Sequence, residues 1–196
     1  MEFDHLAVAG ESLEEAAAYV EEALGLPLSA GGEHGHFGTH NRLMSLGPEE
    51  YLEAIAIDPA AGALPYARWF DLDRFTGPAR LSNWICRVDD IAAIEPEAGA
   101  PVPLSRGAYH WTMAVPQDGV LPYDNCHPAL MQWQGPHPAP KLPDVGARLE
   151  RLVVSHPEAQ MLAKSLPLYE RRVVFEAGPA ALRAEIRTPH GLRVLE

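Results

Sequence analysis

The stretch GTHNRLMSLGPEEYLEAIAID, residues 38–58, predicts two short strands joined by a tight turn at Gly47-Pro48. The second strand, residues 51–57, alternates in hydrophobicity and places Glu53 among apolar neighbours. Burying a carboxylate is costly unless another group pairs with it. Glu53 therefore requires a partner from elsewhere in the chain.

This pair of strands ends a longer unit that begins at the N-terminus. Residues 3–8, FDHLAV, have the pattern of a strand, and residues 13–24 carry an apolar face at helical spacing. Ser12 and Glu15 form a capping box in front of this helix. A Gly-rich segment, residues 31–38, then leads into the two strands. The unit is therefore strand, helix, short extended piece, strand, strand.

The same order of elements recurs along the chain, which indicates an internal repeat. We predict a first βαβββ module at residues 1–60, a connection at 61–79, a second βαβββ module at 80–135, a proline-rich linker at 136–146 and a third, accessory βαββ module at 147–196. We expect the third module to cover the sheet of the other two or to form a dimer surface.

The composition limits the classes of partner. The chain has 196 residues, 47% of them hydrophobic, and a formal net charge of −12. Non-specific binding to nucleic acid or to an anionic membrane requires a basic surface, so we expect neither. The sequence has no apolar run long enough to span a membrane and no signal peptide, and we expect a cytoplasmic protein.

Several short motifs carry a family resemblance: FDHLAV at the start, GTHNRL followed by YLEAIAID, and ALMQW at residues 129–133. In this order and spacing they resemble the glyoxalase-like domain proteins of the vicinal oxygen chelate superfamily. The resemblance implies an α+β fold, in which tandem βαβββ modules form a curved, cup-like, antiparallel-rich sheet around a small-molecule site. It also implies metal ligands on the first and last strands of each module. On this sequence those positions are His5, Glu53, Asn83 and Gln132.

Two arrangements of these four residues remain open. His5 and Glu53 match metal ligands in residue type, but Asn83 and Gln132 are neutral amides and poor ligands for transition metals. One divalent ion (Zn, Ni, Mn or Fe) would rest on His5 and Glu53, completed by water, Gln132 and the substrate. Without a metal, the four residues would form the polar floor of a pocket. The partner of Glu53 would then be His5 as an imidazolium, Asn83 or Gln132.

Strand parity suggests which other polar residue faces the site. Asn41 and Leu43 lie on one face of the strand, and His40 and Arg42 lie on the other. Leu43 suits a buried face, so we expect Asn41 to face the cup and to contact a substrate. Arg42 would then point outward.

The aromatic and histidine residues allow two interpretations each. Trp111 is a candidate for a substrate-binding aromatic wall with the three other tryptophans, or it packs in the core. His34, His36 and His40 form a possible metal motif or supply a general acid or base, but a Gly-rich segment of this kind is typical of a mobile, solvated lid.

The two cysteines have simpler interpretations. Cys86 lies in an apolar run and is typical of a small core residue. Cys126 precedes His127, but adjacency in sequence is not hydrogen-bond geometry, so we expect a loop cysteine and not a nucleophile.

The sequence therefore favours a glyoxalase-like small-molecule enzyme with lyase, isomerase or dioxygenase-type chemistry on a carbonyl or diol compound. Glu53 would be base or ligand, and His5 ligand or electrostatic partner. Asn41, Asn83, Gln132 and Trp111 would bind the substrate. One alternative is a metal-free binding or sequestration protein on the same fold, and another is an interaction protein with a decayed site. A homodimer fits each of these.

Overall fold

Two β-sheets and two α-helices make up the computed structural model, which describes residues 1–94 and 96–196. In chain order the strands and helices are β1 (Glu2–Ala9), α1 (Leu13–Leu24), β2 (Ser29–His34), β3 (Thr39–Ser45), β4 (Tyr51–Ile57), β5 (Arg80–Arg87), β6 (Ala100–Arg106), β7 (Tyr109–Val115), β8 (Ala129–Trp133), β9 (Arg148–Ser155), α2 (Ala159–Ser165), β10 (Val173–Glu176), β11 (Ala181–Thr188) and β12 (Gly191–Leu195). The predicted α+β fold class is confirmed.

The large sheet has eight strands in the order β2-β3-β4-β1-β5-β8-β7-β6 and curls into a half-barrel. The first four belong to the N-terminal part of the chain and the last four to the part that follows it. In each half the inner strands pair in parallel, β1 with β4 and β5 with β8, and the halves meet through the antiparallel pair β1–β5. The order of the second half thus mirrors that of the first.

Helix α1 packs on the convex side of the first half of the large sheet. The Ser12 hydroxyl accepts a hydrogen bond from the Glu15 amide at 3.2 Å, which begins the helix as the capping box predicts. Gly25 ends it with a left-handed φ of 67°. The residues that the helix buries share one face: Ala16, Ala17, Val20 and Leu24.

The four-stranded sheet, ordered β10-β9-β11-β12, also covers the convex side of the large sheet. Leu152 and Leu182 of the small sheet share one hydrophobic core with Leu6 and Trp84 of the large sheet. The concave side is therefore left for the candidate site. Strand β12 was not predicted from the sequence.

The segment that connects the two halves of the large sheet packs against its concave side. The sequence predicts a short helix over residues 64–70, but the structure has a 3₁₀ segment at Trp69–Arg74 instead. Phe70 and Asp71 adopt left-handed φ values of 57° and 56°, which residues other than glycine rarely adopt. Trp69 and Phe70 are buried among apolar residues of the inner face.

The Gly-rich segment differs from the expected mobile lid. Its first part forms strand β2, which pairs with β3, and His34 at the end of β2 is buried. The expectation of a solvated lid is wrong for this part, because the extended backbone is held by the ladder to β3.

Shortening Leu152 tests whether the two sheets form one core. Leu152 has no exposed surface and contacts the shared core, so Leu152→Ala should lower the free energy of unfolding by about 2–5 kcal/mol in a single urea transition. Leu192→Ala is the matched control, because Leu192 is exposed on β12. If the small sheet of Leu152→Ala unfolded in a separate transition at lower urea concentration, while the midpoint of the main transition stayed the same, the shared core would be contradicted.

Candidate functional site

A pocket of about 370 Å³, counting its open mouth, lies on the concave face of the large sheet. Its polar lining residues come from both halves of the sheet: His5, His34, Asn41, Tyr51, Glu53 and Arg106. Its apolar and aromatic lining is formed by Trp69, Phe70, Tyr109, Trp111, Met113, Met131 and Trp133. A charged floor under aromatic walls is typical of small-molecule sites.

A β-bulge places two neighbouring polar residues of β1 in the buried interior. Phe3 pairs with Cys86 and His5 with Ile85, so Asp4 is the extra residue between them. In a regular strand Asp4 and His5 would point to opposite faces. Here the Asp4 carboxylate contacts His5 Nδ1 at 2.7 Å, and neither residue is more than 3% exposed.

Asp4 is held as a carboxylate by several donors. Its Oδ2 accepts a hydrogen bond from Trp133 Nε1 at 3.0 Å and lies 3.2 Å from His137 Nε2. Burial acts to raise the pKa of Asp4, but the contacts with His137 and His5 outweigh it and hold the pKa well below its usual range. Asp4 is therefore ionised at neutral pH.

His5 lies between two carboxylates. Its Nε2 is 3.5 Å from Glu53 Oε1, while its Nδ1 faces Asp4. Burial acts to lower the pKa of His5, but the contacts with Asp4 and Glu53 raise it above its ordinary value. The Tyr51 ring stacks on the imidazole with ring centroids 4.1 Å apart, which fixes the plane of the ring.

Glu53 has two partners, His5 and Asn41. Asn41 Nδ2 donates to Glu53 Oε2 at 2.7 Å. Burial acts to raise the pKa of Glu53, but the contact with His5 and the hydrogen bond from Asn41 lower it. Of the three partners proposed for Glu53 from the sequence, the structure brings only His5 to it.

A polar chain continues from Asn41 toward the pocket mouth. Arg106 donates from one terminal nitrogen to Asn41 Oδ1 at 2.9 Å and lies 3.3 Å from His34 Nε2. His34 Nδ1 lies 3.0 Å from the Thr39 hydroxyl. Burial lowers the pKa of His34 to about 4, so this imidazole is neutral and accepts the Arg106 hydrogen bond.

Asn83 does not join the pocket of His5 and Glu53. It lines a separate cavity, and Phe70 lies at the boundary because it lines both. Asn83 is 1% exposed, and both of its amide atoms lack a hydrogen-bond partner in the described chain. The expectation that Asn83 contacts the same ligand as Glu53 is therefore not met, because the Trp69–Arg74 segment separates them.

Gln132 points to the opposite face of the sheet. Its amide donates to the Asp89 carbonyl at 2.6 Å and accepts from the Ile91 amide at 3.3 Å. The offset from His5 to Asn83 is 78 residues (83 − 5), and the same offset leads from Glu53 to Met131 (131 − 53). A shift of one residue reverses the face of a strand, so Met131 and not Gln132 lines the pocket.

The other residues named from the sequence are divided between the two sides of the sheet. Trp111 lines the pocket, whereas Trp84 is buried on the convex side. Arg42 points away from the pocket and pairs with Glu21 of α1 at 2.9 Å. Cys126 donates to the Ser155 carbonyl, and burial raises the pKa of its thiol, which does not suit a nucleophile.

The side chains around His5 and Glu53 do not supply enough ligands to complete a metal site. One ion could touch both His5 Nε2 and Glu53 Oε1, but catalytic zinc sites use three protein ligands. No cluster of three His, Cys, Asp or Glu side chains suited to an ion occurs within residues 1–94 and 96–196. The second half of the sheet presents Met131 and Trp133 where further ligands would be needed.

Sequence reasoning missed two charged members of the site, Asp4 and Arg106, and expected a third member, His34, on a solvated segment. Asp4 lies within FDHLAV, where a regular strand would place it on the face opposite His5, and no pattern signals the bulge. Arg106 ends a stretch that is recognisable only as extended. His34 was assigned to a loop. The bulge in β1 and the approach of β6 to β2 depend on how the two halves of the sheet meet, which local patterns do not show.

Solved structures of other proteins align with this chain at low sequence identity. A hypothetical protein from Staphylococcus aureus aligns with a TM-score of 0.59 and 15% identity, covering 83% of this chain and 72% of that one. Methylmalonyl-CoA epimerase from Mycobacterium tuberculosis aligns with a TM-score of 0.45 and 16% identity, covering 69% and 88%. At these identities the likeness concerns the fold alone. No curated protein sequence matches the chain significantly.

The fold and the sequence together define the class. A half-barrel of two mirrored four-stranded halves is the architecture of the vicinal oxygen chelate superfamily, and this chain is a glyoxalase-like protein of that superfamily. More narrowly, residues 3–169 match the family described as "Glyoxalase-like domain", and the chain belongs to that family. The resemblance seen in the sequence is confirmed.

His34 gives the site a defined response to acid. Its folded-state pKa of about 4 lies below the ordinary 6.5, so the unfolded chain binds a proton first as the pH falls from 6.5 toward 4. Wild type should lose stability across that range relative to His34→Gln, which cannot titrate. Urea unfolding of both proteins at several pH values measures the difference. A difference that is constant with pH would contradict a neutral buried His34.

Proposed function

We propose that this chain is a small-molecule enzyme that moves a proton at a carbon next to a carbonyl group. The supporting observation is the facing pair of a buried carboxylate, Glu53, and a buried imidazole, His5, 3.5 Å apart on the pocket floor. Charge-assisted hydrogen bonds from nitrogen to oxygen usually measure about 2.7–2.9 Å. The longer contact leaves room for a ligand oxygen to share the proton on His5 Nε2.

Each member of the pair has one role in this reaction. The Glu53 carboxylate accepts the proton as the C–H bond breaks, and the electron pair of that bond moves toward the carbonyl oxygen. The His5 imidazolium donates a hydrogen bond to this oxygen as negative charge develops on it. Return of the proton from Glu53 to the carbon completes an isomerisation, or an exchange with solvent.

Three neighbouring residues support the proposed roles of this pair. Asp4 favours the charged form of His5, and Asn41 orients the Glu53 carboxylate through its Oε2, leaving Oε1 toward His5. Trp69 lines the pocket and has a buried indole N–H without a partner in the described chain, so it is a further donor for a ligand oxygen. The aromatic walls limit the access of water, which strengthens these interactions.

The second candidate is a binding or sequestration protein with the same pocket and no turnover. One observation favours it: the pKa of Glu53 is lowered, which makes the carboxylate a weaker base. General bases act best when their pKa lies near the working pH. The two candidates therefore differ in whether a bound ligand loses a proton to Glu53.

Hydrogen–deuterium exchange at carbon separates these candidates. The protein is incubated in D2O with small 2-oxo acids, their esters, hydroxy ketones and diketones, and loss of the C–H signal is followed by proton NMR. We expect exchange with at least one compound. Glu53→Gln keeps the shape but removes the base, so the rate should fall by about 10²–10⁴-fold. Glu22→Gln, exposed on α1, is the matched control and should change nothing.

Three other outcomes would contradict the proposed reaction or the role of Glu53 in it. Saturable binding without exchange would favour the binding protein. Exchange that persists in Glu53→Gln, with the variant shown to be folded by thermal melting, would assign the base elsewhere. Exchange abolished by a chelator and restored by a divalent ion would show that metal is needed and that the incomplete donor set has been misjudged.

A further inference from the structure

We infer that the substrate of this pocket carries a carboxylate bound by Arg106, which makes it a small 2-oxo acid. This inference rests on the proposed function, since it names the substrate class of the same site. Four features of the structure support it: the unpaired charge of Arg106, the way in which its side chain is held, a second cation beside a residue that lines the pocket and the short path from Arg106 to Glu53.

Arg106 lacks an acidic partner. No carboxylate of the described chain lies within ion-pair distance of its guanidinium, although most other arginines form such pairs, among them Arg42 with Glu21 and Arg172 with Glu50. Arg106 is half-buried and lines the pocket. A guanidinium that is partly removed from water and not neutralised by the protein favours an anionic ligand.

The side chain of Arg106 is held in place by neutral groups. One terminal nitrogen donates to Asn41 Oδ1, and the neutral His34 accepts from the same nitrogen. Gly32 allows this position, because a Cβ there would approach Arg106 Cδ to 2.9 Å. The other terminal nitrogen and Nε have no hydrogen-bond partner in the described chain, so their N–H groups remain for the two oxygens of a carboxylate.

A second cation, Lys141, lies beside the lining residue Tyr109, although the whole chain carries a formal charge of −12. The ring of Tyr109, which lines the pocket, lies 5.9 Å from the Arg106 guanidinium carbon and 5.1 Å from Lys141 Nζ. Lys141, like Arg106, has no acidic partner in the parts of the chain that are described. This pair of cations would attract a small anion to a protein whose overall charge repels it.

The distance from anion to base limits the size of the ligand. Asn41 bonds Glu53 through its nitrogen and Arg106 through its oxygen, so a single amide group separates the base from the guanidinium. A ligand that reaches both must have its carboxylate only a few bonds from the carbon that loses the proton. In a 2-oxo acid, the carboxylate and that carbon flank the same carbonyl, so a molecule of only a few carbons can reach both groups.

The test compares a short 2-oxo acid with its methyl ester, in wild type and in Arg106→Met. We measure binding by calorimetry and exchange at carbon by NMR, with KM and maximal rate determined separately. Losing a charge-assisted hydrogen bond should weaken binding of the acid and raise its KM by about 10- to 100-fold. The ester, which lacks the carboxylate, should lose much less affinity than the acid. Arg106→Lys, which keeps charge but not the fork, should restore part of the affinity.

Arg171→Met is the matched control, because Arg171 is exposed and distant in sequence. Equal binding of acid and ester by wild type, or an equal loss of both in Arg106→Met, would overturn the inference. If Glu53-dependent exchange persists in that case, the proposed function stands and only the substrate class is wrong. If no compound exchanges but the acid still binds through Arg106, the carboxylate assignment stands and the enzymatic proposal fails.

Discussion

The buried imidazole of His5, placed between the carboxylates of Asp4 and Glu53, is the interaction on which the site depends. Two anions with almost no exposure would be costly inside this sheet without a cation between them. His5 supplies that charge because both ring nitrogens face a carboxylate. The same arrangement leaves an imidazolium and a carboxylate on the pocket floor, so the proposed proton transfer would use the contacts that also make their burial possible.

The fold brings together the distant segments of the chain that form this interaction. The bulge in β1 aligns Asp4 with His5, β4 supplies Glu53, and Arg106 arrives from the far edge strand of the sheet. Because the sheet curls, its two outer strands approach across the pocket, and the polar chain from His5 to Arg106 crosses from one half of the repeat to the other. The small sheet and α1 cover the convex side, so the concave side remains available to a ligand.

The sequence predicts the fold far better than the site. Helix α1, its cap and the repeated strand order follow from local patterns, which act within a few residues. Glu53 stands out because a carboxylate in an apolar strand is anomalous. Its partners are less predictable: Asp4 depends on a bulge, and Gln132 was placed on the wrong face by one residue of register. Asn83 is separated from the pocket by Phe70, whose left-handed backbone no pattern signals.

The protonation state of His5 is the most direct test of this account. Two-dimensional NMR of protein labelled with nitrogen-15 on the histidine ring reports the proton occupancy of each ring nitrogen as the pH is varied, and the His5 signals are assigned by their absence in His5→Gln. The account predicts that His5 keeps protons on both nitrogens above its ordinary pKa of 6.5 and releases one only at higher pH. Titration at or below 6.5, with one ring nitrogen unprotonated at neutral pH, would contradict it.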